Sequence, residues 1–309
     1  MFQPSYIETY KKGLLKKKAE QAHKILGSCV LCPRQCKVDR LSGETGVCKT
    51  GARAMVSSYN AHFGEESPLT GRNGSGTIFF THCNLRCVFC QNYDISHEGC
   101  GEEISDEQLA GIMLALQKSG CHNINFVTPS HVVPQILSAL EIAVEKGLCI
   151  PLVYNTGGYD RVETLKILDG IIDIYMPDFK FWDPEIAGKA CDAKDYPEIV
   201  RNALAGMFRQ VGDLAIDESG IAQRGLIVRH LVMPQGHAGT RGVMRFIADK
   251  ISKNTYVNVM FQYKPCGKAY QFKEFSSRPS DKDFDEAVKV AKEEGITRLD
   301  KPRHVFLVR

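Results

Sequence analysis

The 309-residue sequence predicts an α/β fold, namely an open, partial TIM-like (β/α)6 barrel with a cysteine-rich N-terminal appendage. From residue 76 onward, short β-branched or aromatic runs alternate with helix-length segments, which is typical of parallel strands joined by right-handed helical crossovers. The preceding segment is instead rich in glycine, turn residues and cysteine. Six strands are too few to close an eight-stranded barrel, so we expect an open barrel with its site at the carboxyl ends of the strands.

The predicted elements divide the chain at residue 73. Residues 1–73 comprise a helix candidate over 5–26 and a four-cysteine segment, and residues 74–309 form the barrel and a tail. We expect strands at 77–81, 123–128, 150–155, 171–176, 226–233 and 256–261, and crossover helices at 105–118, 134–146 and 197–210. Ser105 is suited to cap the first of these helices. A further helix at 280–294 and a strand at 303–308 are predicted in the tail.

Composition indicates a globular protein of the cytoplasm. Hydrophobic residues make up 43% of the chain and charged residues 24%, and the formal net charge of +3 is too small to imply a nucleic-acid partner. Neither a signal peptide nor a long apolar span is evident, so we expect no membrane association. In a reducing compartment, clusters among the 12 cysteines indicate metal binding and not disulfides.

Three of these cysteines form the most informative motif, Cys83-Asn-Leu-Arg-Cys87-Val-Phe-Cys90, directly after the first predicted barrel strand. Closed structural metal sites usually take four protein ligands, whereas a reactive site keeps one position free. We therefore interpret the motif as an open iron–sulfur site. The alternatives are a zinc site that lacks one ligand, or three buried apolar cysteines.

The CxxxCxxC spacing, with Phe89 before the last cysteine, resembles the signature of the radical S-adenosylmethionine (SAM) superfamily. This resemblance implies that the three cysteines hold a [4Fe-4S] cluster and that SAM chelates the fourth iron. It implies one-electron reduction by an external donor of flavodoxin or ferredoxin type, and reductive cleavage of SAM to a 5′-deoxyadenosyl radical that abstracts hydrogen from a substrate. No acid–base pair is required for that step, and we assign no catalytic side chain.

Within the superfamily, residues from about Cys29 to Pro265 resemble pyruvate formate-lyase activating enzyme-like proteins, including the uncharacterised PflX-type proteins. The segment Asp178-Phe-Lys180 is similar to an Asp-Leu-Lys segment of that group. The similarity implies that Lys180 contacts the SAM carboxylate and that Asp178 helps to bind a cation. Arg229 resembles an arginine that lies close to SAM in the group. For Lys180 and Arg229 the plain alternative is a surface salt bridge.

The third predicted strand ends in Asn155-Thr156-Gly157-Gly158, which is similar to the Asp-Thr-Asn-Gly segment of the group. Asn155 stands where the aspartate would be, which weakens any cation site there. We expect Asn155 and Thr156 to contact the cofactor. The two glycines either allow the backbone to approach it closely or form a turn that needs positive φ.

The Gly-Gly-Glu motif that receives the SAM amine in the group is replaced here by Thr128-Pro-Ser130-His131. The hydroxyls of Thr128 and Ser130, with backbone carbonyls, are candidate acceptors for the amine. His131 could reach the same pocket or serve as a local hydrogen-bonding residue. Gln262 stands near the position where related enzymes carry a histidine beside the adenosine.

A second cysteine group, formed by Cys29, Cys32, Cys36 and Cys48, supplies four thiolates at spacings short enough to surround one centre. Tetrahedral zinc and a second iron–sulfur cluster both fit such a set, and the spacing does not decide between them. Four protein ligands fill every position of a tetrahedral site, which favours a structural metal. A cluster would instead be able to relay electrons.

The resemblance makes activation of a glycyl-radical enzyme the nearest analogy for the reaction, with a protein loop as substrate. The alternative function is an iron–sulfur electron-transfer protein without SAM chemistry. Five cysteines outside both groups are expected to be small buried hydrophobic residues: Cys100, Cys121, Cys149, Cys191 and Cys266.

Overall fold

A computed structural model describes residues 2–300, so the predicted strand at 303–308 lies outside the described residues. Its strands are β1 (Ala54–His62), β2 (Ser75–Phe80), β3 (Glu102–Ile104), β4 (Ile124–Val127), β5 (Leu152–Thr156), β6 (Ile174–Pro177), β7 (Ala215–Ile216), β8 (Ala222–Leu231) and β9 (Tyr256–Met260). Its α-helices are α1 (Ser5–Lys11), α2 (Leu14–Lys24), α3 (Ser67–Thr70), α4 (Asp106–Lys118), α5 (Val133–Glu145), α6 (Val162–Ile167), α7 (Pro184–Cys191), α8 (Tyr196–Val211), α9 (Thr240–Phe246) and α10 (Asp281–Glu293).

The sheet is built on six parallel strands, in the order β2, β4, β5, β6, β8 and β9. Each overlaps a strand predicted from the sequence. β4, β5 and β6 are buried on both faces, as expected for parallel strands covered by helices. Three antiparallel strands extend the sheet, because β1 pairs with β2, β3 with β1, and β7 with β8. Across residues 2–300 the two ends of the sheet do not pair with each other, so the predicted open, partial barrel is confirmed.

The helices predicted at 105–118, 134–146, 197–210 and 280–294 correspond to α4, α5, α8 and α10, each of which begins within one residue of its prediction. The Ser105 hydroxyl accepts the Gln108 N–H at 3.2 Å, while the Gln108 side chain accepts the Ser105 N–H at 2.8 Å, and this capping box starts α4. The single helix predicted over 5–26 is wrong. Gly13 has φ +67°, a left-handed conformation that a right-handed helix cannot continue, so α1 and α2 are separate. No helix in the described part of the chain is both long and apolar enough to cross a membrane.

Helix α1 covers the amino ends of the barrel strands. The Tyr6 hydroxyl donates to the Ile150 carbonyl at 2.8 Å. The buried Asp173 carboxylate accepts the N–H groups of Ser5 and Leu152, at 2.8 and 3.1 Å. The carboxyl ends of the strands lie at the opposite end of the barrel, where the predicted site residues are found.

The cysteine-rich N-terminal region is present, but part of it belongs to the sheet. β1 lies within residues 1–73 and pairs with β2 along most of its length, from Val56 opposite Phe80 to His62 opposite Ser75. The division of the chain at residue 73 stays a prediction.

Candidate active site

A cavity of about 400 Å³ lies at the carboxyl ends of the six parallel strands. Its volume is within the range of small-molecule binding sites. Every parallel strand, or the loop that follows it, contributes to the lining, and the polar and sulfur-bearing contributors include Cys83, Cys87, Cys90, Thr128, Asn155, Thr156, Asp178, Lys180, Arg229 and Gln262. The cavity therefore brings together most of the site residues that the sequence predicts.

The three cysteines reach the cavity because the loop after β2 turns sharply twice. His82 and Arg86 have φ values of +62° and +55°, in the left-handed region that non-glycine residues rarely adopt. The Leu85 N–H donates to the Cys83 sulfur at 3.3 Å. The loop thus directs three thiols into the cavity, and at least one backbone N–H of the loop donates to a cysteine sulfur.

The cysteine set fits a cluster better than a single ion. Within residues 2–300, no group of three or more histidine, cysteine or acidic side chains is arranged to hold one metal ion. A [4Fe-4S] cluster binds each cysteine through a different iron, so its ligands stand further apart than those of one ion. Burial raises the pKa of the Cys83 thiol to about 12, so cluster assembly has to release its proton.

Beside the cysteines, the Asp178 carboxylate pairs with two cations. Arg229 donates through Nε to Asp178 Oδ1 at 2.7 Å, and the Lys180 ammonium pairs with Asp178 Oδ2. Burial opposes ionisation of Asp178, but the Arg229 and Lys180 charges outweigh it and lower its pKa. Burial likewise lowers the pKa of Lys180, and the Asp178 charge outweighs it, so the net shift is upward. All three side chains are therefore charged at neutral pH. Asp178 is buried, and the side chains of Lys180 and Arg229 are only 15% and 18% exposed, which contradicts a surface salt bridge.

Asn155 and Thr128 border this charged group. The Asn155 side-chain oxygen accepts from Arg229 Nη2 at 2.7 Å, so it orients the guanidinium where an aspartate would have added a charge. Thr128 has φ +61°, and its N–H donates to the Asn155 carbonyl at 2.8 Å. Such a conformation is strained for a β-branched residue, and strain of this kind concentrates at functional sites.

Ser130 does not line the cavity. Its hydroxyl donates to Asp160 Oδ1 at 2.6 Å, and the same buried carboxylate accepts from Thr156 at 2.6 Å and from Tyr154 at 2.9 Å. The Ser130 hydroxyl is committed to this network, so its position gives no support to the predicted contact with the SAM amine. Thr156 lines the cavity and belongs to the network as well.

The two glycines after β5 serve different purposes. Gly157 lines the cavity, while Gly158 has φ +78°, and a Cβ atom there would collide with the Asp178 carbonyl oxygen. The hydroxyl of Tyr196 lies 3.0 Å from the Gly157 carbonyl oxygen and 2.8 Å from that of Asp178, and it accepts the Lys180 N–H at 2.9 Å. Tyr196, which sequence reasoning missed, thus ties the loops of two neighbouring strands together.

Two acidic residues at the cavity were also missed. Glu65 lines it, with Oε2 3.9 Å from Arg229 Nη1, and Glu66 accepts from the Asn258 amide at 2.8 Å. Burial, followed by the neighbouring Glu66 charge, raises the pKa of Glu65 to about 7, although Arg229 opposes the shift. The loop carrying these residues follows β1, a strand that the sequence pattern did not predict.

Gln262 lines the cavity at the end of β9, and its carbonyl accepts from the Gln91 amide in the cysteine loop at 3.1 Å. His131 does not reach this cavity. It lies instead against a second cavity, which is lined by Cys29, Cys32, Cys36 and Cys48. Burial, with the nearby Arg40 charge, lowers the pKa of His131 to about 3, so the ring is neutral.

The expectation for the five single cysteines holds only in part. Cys121 and Cys191 are buried, and Cys266 is partly buried. Cys100 and Cys149 are exposed, so burial was the wrong prediction for these two.

The chain is similar to known proteins in sequence and in fold. A family model described as the radical SAM superfamily matches residues 77–211, which include the cysteine loop and the Asp178-to-Lys180 segment. The uncharacterised protein MJ0674 of Methanocaldococcus jannaschii is 33% identical over 294 residues, which is 92% of this chain and 80% of that protein. A crystal structure of HydG, a maturase of the [FeFe]-hydrogenase, is similar with a TM-score of 0.48 and 14% identity over 71% of this chain. The chain spans about half of that structure, 48%. On the family match and the extended relative, this chain belongs to the radical SAM superfamily.

Proposed function

We propose that this protein reductively cleaves SAM at a [4Fe-4S] cluster held by Cys83, Cys87 and Cys90. Membership of the superfamily implies an enzyme. The observation that carries the proposal is that these cysteines share one cavity with the buried charges of Asp178, Lys180 and Arg229. When bound, the cluster and SAM would supply a 5′-deoxyadenosyl radical that abstracts a hydrogen atom from the substrate.

The side chains around the cavity suit the amino-acid end of SAM. Its carboxylate requires a buried cation, which Lys180 and Arg229 provide, and Asn155 and Asp178 hold the guanidinium in position. Its ammonium requires an acceptor, and Glu65 offers a carboxylate at the same cavity. Glu65 thereby takes the role for which the sequence offered the hydroxyls of Thr128 and Ser130 and backbone carbonyls.

Aromatic side chains form part of the cavity wall beside the cysteines. The Phe89 ring packs edge-on against Tyr263 and Phe181, with centroids 5.6 and 5.8 Å apart, and both Phe89 and Tyr263 line the cavity. An apolar wall at this place would limit competing reactions of a reactive radical. Thr128 and Gln262 remain candidate contacts for the rest of SAM.

Activation of a glycyl-radical enzyme is the substrate assignment that we propose. The barrel is open, and an open barrel leaves room for a protein loop to approach the cavity from its unpaired side. An electron donor of flavodoxin or ferredoxin type and a cytoplasmic location complete the proposal.

The decisive experiment is anaerobic incubation of reconstituted protein with dithionite and SAM, followed by measurement of 5′-deoxyadenosine. We expect product from the wild type and from Cys149→Ser, which changes an exposed cysteine away from both cavities, and none from Cys87→Ala. An intact, reducible cluster that yields no 5′-deoxyadenosine would contradict the proposal and favour an electron-transfer protein.

The substrate assignment has its own test. A peptide copying the glycine loop of a glycyl-radical enzyme, with deuterium at the glycine Cα, is added to the same reaction. Deuterium in the recovered 5′-deoxyadenosine supports glycine as the hydrogen donor. A full-length glycyl-radical enzyme is tested in parallel. The substrate assignment would be contradicted if the 5′-deoxyadenosine carried no deuterium and the full-length enzyme gained no glycyl radical.

A further inference from the structure

The N-terminal cysteines enclose a second, much smaller cavity. Cys29, Cys32, Cys36 and Cys48 all line it, together with Arg34, Arg40 and His131. The four thiols are free, and all but Cys36 are buried. The space in it that is open to the centre of a water-sized sphere is about 10 Å³.

The arrangement of these four thiols does not suit a single zinc ion. In a tetrahedral zinc site each sulfur lies about 2.3 Å from the centre. As noted above, no set of these side chains within residues 2–300 is arranged to hold one ion. The ligands of a cluster bind different metals and therefore stand further apart than those of one ion, so a cluster is compatible with this arrangement.

The buried positive charge of Arg40 favours a negatively charged group in this cavity. Arg40 is only 1% exposed, and its guanidinium donates to the Gly51 carbonyl at 2.7 and 2.9 Å and to the His131 carbonyl at 2.9 Å. Among the ion pairs of the described residues, none involves Arg40, and its Nη1 lies 3.9 Å from the Cys29 sulfur. Burying an unpaired cation is unfavourable, and a centre ligated by four thiolates would supply the missing negative charge.

The loops around the cavity are also shaped for sulfur. The Val47 N–H points at the Cys36 sulfur at 3.5 Å. A Cβ atom on Gly46 would lie 2.6 Å from the same sulfur, so only glycine permits this approach. On the opposite side, His131 Nε2 is bonded to the Thr81 carbonyl at 2.9 Å, while its buried Nδ1 has no partner in the described part of the chain.

The second cavity adjoins the cysteine loop of the active site. Arg34, which lies between Cys32 and Cys36, donates to the carbonyls of Asn84 at 2.9 Å and Leu85 at 3.5 Å. In return Arg86 donates to the Val47 carbonyl at 3.3 Å. The two cysteine loops are thus in direct hydrogen-bonded contact.

We propose that Cys29, Cys32, Cys36 and Cys48 ligate a second [4Fe-4S] cluster that delivers single electrons to the cluster at Cys83, Cys87 and Cys90. An external one-electron donor of the flavodoxin or ferredoxin class is oxidised by one electron, the second cluster gains that electron, and the active-site cluster receives it in turn. No proton or leaving group is required. The relay role rests on the proposed function, whereas the identity of the metal does not.

Metal analysis tests the ligation directly. Full-length protein is purified anaerobically from cells supplied with both iron and zinc. We expect about eight iron and eight sulfide per chain in the wild type, and about four of each in a Cys83→Ala, Cys87→Ala, Cys90→Ala variant, whose reduced form gives the EPR signal of a [4Fe-4S] cluster. Zinc in place of iron in that variant, or neither metal in a folded variant, overturns the proposal.

The relay is tested by comparing two reductants on full-length protein that retains the active-site cluster. In Cys36→Ser, reduction of the active-site cluster by flavodoxin is expected to slow by about tenfold, whereas reduction by dithionite, a small molecule that can enter the main cavity, keeps its rate. Cys149→Ser is the matched control. Unchanged rates with flavodoxin would overturn the relay. Formation of 5′-deoxyadenosine with dithionite reports separately on the proposed function.

Discussion

The sulfur atoms of Cys87 and Cys191 lie 3.4 Å apart in the buried wall of the active site. Cys87 belongs to the cysteine loop after β2, and Cys191 is the last residue of α7. Both thiols are free. A disulfide requires a separation of about 2.05 Å, so a small movement would join them.

We predict that oxidation of metal-free protein forms the Cys87–Cys191 disulfide and blocks loading of the active-site cluster. A cysteine held in a disulfide cannot ligate iron. Peptide mapping under non-reducing conditions should detect the bond, and a thiol reductant should restore iron uptake.

Two variants control this prediction. Cys191→Ser should keep its capacity for iron after the same oxidation. Cys121→Ser changes another buried cysteine outside both cysteine groups and should behave like the wild type. If Cys191→Ser loses iron uptake as the wild type does, the pairing is not the cause.

We predict that Asp178→Asn lowers the free energy of unfolding by about 3–5 kcal/mol, because it leaves Lys180 and Arg229 buried without their common counter-charge. The measurement is urea-induced unfolding of metal-free protein. SAM binding to the reconstituted variant should weaken as well, since both cations lose their orientation.

Glu185→Gln is the comparison, because Glu185 pairs with Lys194 at an exposed site, where the side chains are 70% and 68% exposed. Its unfolding should barely change. Equal losses in the two variants would show that burial of the Asp178 group does not govern its contribution.

Glu65 should make stability depend on pH. Its pKa is raised from 4.5 to about 7 in the folded state, mainly by burial, so the folded chain binds more protons than the unfolded chain between these values. The free energy of unfolding should therefore fall as pH rises from about 4.5 through about 7, by a few kcal/mol at most. Glu65→Gln should remove this part of the pH dependence, as measured by urea unfolding across the window.

The same group gives a prediction for binding. If the Glu65 carboxylate accepts the SAM ammonium, binding to reconstituted protein tightens as pH rises through about 7, and Glu65→Gln flattens that profile. Glu20→Gln, on the exposed face of α2, serves as control. A pH profile that Glu65→Gln leaves unchanged would remove Glu65 from the binding site.

The sequence predicted those features that depend on local patterns. Alternation of apolar runs located all six parallel strands, and the topology of such strands brought Asp178, Lys180 and Arg229 to the Cys83 loop. The spacing of three cysteines was sufficient to indicate the radical SAM superfamily. Such signals lie within a few residues of each other.

What the sequence did not predict depends on distant contacts. Cys191 meets Cys87 across 104 residues, and nothing near either residue signals the pairing. Glu65 reaches the cavity only because β1 pairs beside β2, and β1 lacks the burial on both faces that made other strands evident. The Ser130 hydroxyl donates to Asp160, 30 residues away, and this contact, which keeps Ser130 out of the cavity lining, has no local signal in the sequence.

Gly158→Ala should perturb the active site by more than the strain of placing alanine at a positive φ would cause. Both Gly158 and Gly147 have positive φ, +78° and +94°, so alanine costs about 1–2 kcal/mol at either position. At Gly147 a Cβ atom meets nothing within 4 Å, whereas at Gly158 it meets the Asp178 carbonyl oxygen. Because that carbonyl belongs to the loop that carries Lys180, the backbone must move and the charged group with it. We therefore expect Gly158→Ala to unfold at lower urea than Gly147→Ala and to bind SAM more weakly, while Gly147→Ala binds it normally. Equal SAM affinity in the two variants, measured on reconstituted protein, would mean that the close approach of these two loops does not position the site.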